Sequence, residues 1–118
     1  MMKQMEEMNL YMQQAKAATA EKINALTADG RADEARAYRA SFNIYDVFAA
    51  LLNAAVKTSG GDEDRMKEAF HKLAEKIPES WRQSLAAARL HDDAEKVMIE
   101  EAKLTTAAES VEKFDSLF

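Results

Sequence analysis

Apolar residues in this chain recur at spacings of three and four, and no strict alternation is sustained anywhere, so the pattern predicts helices and no strands. The first stripe runs through Met5, Met8, Met12, Ala15, Thr19, Ile23 and Leu26, with Lys3, Glu7, Gln14, Glu21 and Lys22 opposite it. That is one amphipathic helix from about Lys3 to Ala28. Asp29-Gly30 ends it, because glycine just past a helix takes the left-handed conformation that closes the last turn. A second helix is predicted from Ala32 to Thr58. Its later part, Phe42 through Val56, is apolar on most sides. One polar strip remains, through Arg36, Arg39, Asn43, Asp46, Asn53 and Lys57. A helix of that kind is central to a bundle or shared with a partner.

Gly60-Gly61-Asp62-Glu63-Asp64 reads as a loop and a helix start, with acids at the positive end of the helix dipole. The third helix runs to about Glu75, with Met66, Ala69, Phe70, Leu73 and Ala74 inward. Pro78 breaks it and opens a fourth over Glu79 to Leu90, with Trp81, Leu85 and Ala88 on one side. His91-Asp92-Asp93 is expected to break the chain again, with Asp92 and Glu95 at capping-box spacing. The fifth helix runs from Ala94 to Leu117 on a stripe of Val97, Met98, Leu104, Ala108 and Val111, with Phe114 and Phe118 near its end. Residues 1–118 thus read as one all-α domain, a bundle of four to five mostly antiparallel helices joined by short connections.

Composition narrows the function more than it identifies it. Alanine supplies 23 of the residues, so the 47% hydrophobic fraction overstates the bulk available to a core. The absence of cysteine removes disulfides, thiolate ligands and cysteine nucleophiles, and fits a cytoplasmic protein. The charged N-terminal start does not resemble a secretory signal, and no run of about 18 apolar residues predicts a membrane span. The net charge is −5, and residues 78–118 carry nine acids against five bases. That excess opposes binding to nucleic acid or to an anionic membrane.

Glu68 and His71 form a Glu-x-x-His unit, the spacing that lets two side chains on one helix reach one metal. Only one such unit exists, so Glu68, His71 and Glu75 are weak metal candidates beside the plainer reading of a solvated helix face. No cofactor is implied. Met5, Met8 and Met12 suit ordinary packing and, alternatively, a flexible contact surface. Trp81, just after Pro78, suits an anchor for the turn or a contact residue. The acids from Asp92 to Glu112 lack calcium-loop spacing and read as a solvated face. Leu85, Ala86, Ala94 and the acids between are similar to one tetratricopeptide hairpin. That family's tryptophan, glycine and tyrosine spacing is missing and no second copy follows, so the likeness is to a helical hairpin in general. The expectation is therefore a small non-enzymatic cytoplasmic protein acting through protein contacts, as a homodimer or with another chain. The alternatives are a ligand- or metal-binding helical enzyme and a helix-turn-helix-like regulator over residues 79–100.

Overall fold

A computed structural model describes residues 1–118 and contains five helical elements: α1 (Met2–Ala28), α2 (Ala32–Ser59), α3 (Glu63–Lys76), α4 (Glu79–Leu90) and α5 (Ala94–Leu117). Helix accounts for 89% of the chain and there are no strands. Each interruption has a local cause. Gly30 and Gly60 sit at φ +74° and +61°, in the left-handed region where a side chain is strained. Asp62 caps α3 by accepting a hydrogen bond from the Arg65 amide at 3.1 Å. The break at 91–93 is present, but its cap differs from the expected one. Asp93 accepts from the Lys96 amide at 3.1 Å, while Asp92 takes the positive φ of 53°. Asp92 is the turn residue and not the cap, because asparagine and aspartate tolerate the left-handed conformation.

Ile77 and Pro78 remain in the right-handed helical region, so α3 and α4 form one rod kinked at the proline. Proline cannot donate a backbone hydrogen bond. Across the kink, the Arg82 guanidinium donates to the Glu75 carbonyl at 3.0 Å.

Contacts between helices fix their directions. Lys16 meets Asp46 at 2.6 Å and Lys22 lies over the Tyr38 ring, so α1 and α2 are antiparallel. Arg36 meets Glu95 at 2.5 Å, and Ser41 donates to the Ala102 carbonyl at 3.4 Å, so α2 and α5 run parallel. Lys67 reaches the Phe118 carbonyl and Arg89 reaches Glu101, which sets the kinked rod antiparallel to α5. The chain therefore goes up, down, up and down, and the diagonal pair α2 and α5 closes into direct contact. The result is a slab of 47 × 31 × 19 Å. Its thinnest dimension is about two helix diameters.

α2 is the spine of this slab and supplies nine of the 23 buried residues. Its polar strip faces water along its whole length. Phe48, Phe70 and Phe114, from α2, α3 and α5, are fully buried. Phe70 and Phe114 stack at 3.7 Å between ring centroids, and Phe48 meets Phe70 edge-on at 6.3 Å. Met8, Met12, Leu52 and Met66 belong to the same buried cluster, as do Ile44, Tyr45 and Leu51. The apolar excess that suggested a partner for α2 is covered by α1, α3 and α5. Tyr38 is its one large apolar side chain left exposed.

The stripe expected on α5 is rotated. Met98 and Ala108 are exposed, and the buried residues are Glu100, Thr106, Ala107, Ser110 and Phe114. The physical reason is the close approach to α2. Small side chains let two backbones come together, and serine and threonine hide their hydroxyls by bonding within the helix. Thr106 donates to the Ala102 carbonyl and Ser110 to the Thr106 carbonyl, at 2.9 and 2.8 Å.

Candidate functional site

Small residues that bring α2 and α5 together leave space beside them. Ala37 and Ser41 on α2, with Ala102, Thr105 and Thr106 on α5, do not fill the gap toward the second half of α1. α1 and α5 touch only lightly, so that gap stays open as a trough. Its volume is about 580 Å³, and its remaining walls are Thr19, Glu34, Tyr38, Tyr45, Met98, Glu101 and Glu109. Glu109 also borders a second, shallower depression of about 290 Å³ with Tyr11, Glu112, Lys113 and Ser116. The two share Glu109 and lie one after the other along α5. The first is mainly between α2 and α5 with Thr19 of α1 at its edge, and the second is between α5 and Tyr11 of α1; together they form the α1–α5 seam.

The seam is acidic and aromatic. Glu34 is engaged by Arg31, with contacts down to 2.6 Å, and Glu101 by Arg89 at 3.0 Å. Glu109 and Glu112 have no ion-pair or hydrogen-bond partner. Tyr11 and Tyr45 meet edge-to-face at 6.4 Å. Burial first, and then the nearby Glu109 carboxylate, hold the Tyr45 phenol above its ordinary pKa of 10.0, while a hydrogen bond to Thr19 pulls the other way. Tyr11 is raised by burial, then by Tyr45, Glu109 and Glu112. One exposed carboxylate thus sits within the electrostatic reach of both rings. Two cations lie at the edges: Lys22 is 5.9 Å from the centre of the Tyr38 ring, and Lys113 is 5.8 Å from that of Tyr11. Both show that these rings accept a cation on their faces.

Two of the trough's hydroxyls, Thr19 and Thr106, are bonded back to their own helices, and Ser41 bonds across to α5. Thr19 donates to the Ala15 carbonyl at 2.7 Å, and Thr106 and Ser41 are engaged as described. This arrangement offers charge, aromatic faces and shape, which suit binding.

Residues singled out in the sequence fall elsewhere. Met8 and Met12 are in the core, and Met5 is half-buried at its edge. Met2 and Leu10 are the large apolar residues that α1 exposes. Trp81 is half-buried and packs against the core beside Ile77, as an anchor for the kinked rod would. Glu68, His71 and Glu75 lie exposed on α3. His71 pairs across to α5 instead, with Nε2 2.5 Å from Asp115 Oδ1. No group of three or more histidine and carboxylate side chains lies close enough together to hold a metal ion. Asn43, Asp46 and Asn53 face solvent, and Asp46 is held by Lys16.

Sequence reasoning missed the trough itself. A faint signal exists: Tyr38 and Tyr45 are seven apart on α2, and Glu101, Thr105, Glu109 and Glu112 follow one another at helical spacing on α5. Only the pairing of α2 with α5 makes those two stripes one surface. No helix is long and apolar enough to cross a membrane. The chain matches no protein-family model, no curated protein and no solved structure.

Proposed function

We propose that this chain is a small, non-enzymatic interaction protein, and that the seam between α1 and α5 is where it holds a partner. The observation that carries this reading is the trough at that seam, concave and walled by tyrosines, with Glu109 and Glu112 unpaired. Ligand sites combine a concave shape with a few convergent polar groups, and tyrosine offers both an apolar face and a polar tip.

A photo-cross-linking residue in place of Thr105, inside the trough, tests this in the native cell. Discrete adducts from position 105, and none from the same residue at Asn53 on the far side of α2, are expected. Equal labelling from both positions removes the assignment. The mass of the adduct, with light scattering of the purified protein, tells a second copy of this chain from a different protein.

A further inference from the structure

The geometry points to a short, extended, basic peptide segment of a partner protein as the occupant of this seam, with Glu109 and Glu112 receiving its lysine or arginine side chains. This rests on the proposal that the seam is the contact surface.

Length is the first argument. From Met98 to Ser116 the two successive depressions together occupy about 27 Å of α5 at 1.5 Å per residue. An extended chain covers that distance in about eight residues at 3.3–3.6 Å each. A single amine of metabolite size covers only a fraction of it.

Charge is the second. Glu34 and Glu101, at the rim, are neutralised by Arg31 and Arg89. The two carboxylates in the middle, Glu109 and Glu112, are not. The one base lining that stretch, Lys113, has its ammonium over Tyr11. Two unmet negative charges therefore line the seam, Glu109 at both depressions and Glu112 at the shallower one beside Tyr11. A guanidinium or ammonium there gains a carboxylate partner, the faces of Tyr38 and Tyr11 being already covered by Lys22 and Lys113. An acidic segment meets repulsion from both carboxylates, so the seam discriminates by charge.

Spacing is the third. Glu109 and Glu112 are three apart on one helix, which places them on the same face about 4.5 Å apart along its axis. Side chains on one side of an extended peptide repeat every two residues, about 6.6 Å. Long, flexible lysine or arginine stems close that difference, so basic residues at alternate positions satisfy both acids.

The test is an amide-shift titration of the intact protein with synthetic eight-residue peptides. One carries lysine at alternate positions, one glutamine there and one glutamate; spermidine is a fourth probe. Expected are shifts confined to the seam, at Tyr45, Thr105, Glu109 and Ser116, from the lysine peptide alone. Glu109→Gln with Glu112→Gln should weaken its binding about five- to tenfold, and raised salt should do the same. Both residues are exposed, so the double variant keeps the fold, and an unchanged spectrum outside the seam checks this. Equal binding of the glutamine peptide overturns the basic partner while leaving the seam as a binding surface. Spermidine shifting the seam as strongly as the peptide overturns the peptide as occupant. Lysine-peptide shifts lying away from the seam overturn both this inference and the surface assignment. The absence of any shift overturns the inference alone, because the cross-linking experiment then still decides the surface.

Discussion

The two ends of the slab are built from different materials. At one end, α3 and the C-terminal halves of α2 and α5 meet the start of α1 through Phe48, Phe70, Phe114, Met8, Met66 and Leu52, all fully buried. At the other, the N-terminal halves of α2 and α5 meet through Ala37, Ser41, Ala102 and Thr106, and the rim is tied by Arg36–Glu95 and Arg89–Glu101. Large rings interlock and exclude water, so the first end carries stability. Small side chains bring backbones close but leave gaps, so the second end carries the trough. The chain thus separates the part that keeps it folded from the part with an open surface.

The sharpest way to test that division is truncation at the dense end. Phe48→Ala removes a fully buried ring that touches Phe70, and should cost about 3–5 kcal/mol in denaturant melts. A loss under about 1 kcal/mol would move the core elsewhere. Native-state hydrogen exchange should follow the same gradient, slowest around Phe48 and Phe70 and fastest in α4, which packs mainly on α5.

A smaller effect, of opposite sign, is expected at Glu100. Its side chain is 7% exposed, one oxygen accepts from Lys103 at 3.1 Å, and the other has no partner. A buried acceptor left without a hydrogen bond costs about 1–3 kcal/mol. Glu100→Met keeps the volume and removes that oxygen, while Lys103 retains a route to solvent. The variant should therefore gain about 1–3 kcal/mol. A variant less stable than the parent would show that the carboxylate is satisfied in solution.

The ion pair between Arg36 and Glu95 should matter less. Both side chains are close to half exposed. Solvent and salt screen such pairs, so a double-mutant cycle should return a coupling close to the detection limit, vanishing in high salt. A coupling that survives salt would mean that the thin end is held by charge.

The same contrast explains what could be read in advance. Helix boundaries were legible because Gly30, Gly60 and Pro78 act locally, through φ and a missing donor. The dense end was legible because Phe48, Phe70 and Met66 fall on plain helical stripes. The α5 stripe was not. Glu100, Thr106 and Ser110 are buried by helices that come together only in the tertiary fold, and hydropathy alone places such residues outside. The trough inherits that difficulty, since Tyr45 and Glu109 share a surface only once α2 and α5 are paired. Glu68 and His71 were weak metal candidates beside the plainer reading of a solvated helix face; both are exposed, and the partner of His71, Asp115, forty-four residues on, was not legible from the spacing.

The smallest expected effect is silent near neutral pH and appears only in alkali. Burial, followed by the Glu109 carboxylate, raises the Tyr45 phenol in the folded protein above its ordinary value of 10.0. The unfolded chain titrates near that ordinary value. Below it, both states keep the proton and the stabilisation from the raised pKa is complete. As pH climbs past about 10, the unfolded state releases its proton first, and stability falls until the folded phenol also ionises. Tyr45→Phe has no such proton to lose. Its stability should therefore decline less steeply than the parent's across that alkaline window, although other groups titrate in both proteins. Glu109→Gln should act in the same direction, by lowering the phenol toward its ordinary value. The difference in phenolate absorbance between the parent and Tyr45→Phe, followed against pH, separates this phenol from Tyr11 and Tyr38. A Tyr45 that titrates at or below the ordinary value would show that burial and Glu109 together fail to outweigh the Thr19 hydrogen bond, and a Glu109→Gln variant that leaves the phenol unmoved would remove the electrostatic link between the acidic seam and its tyrosine wall.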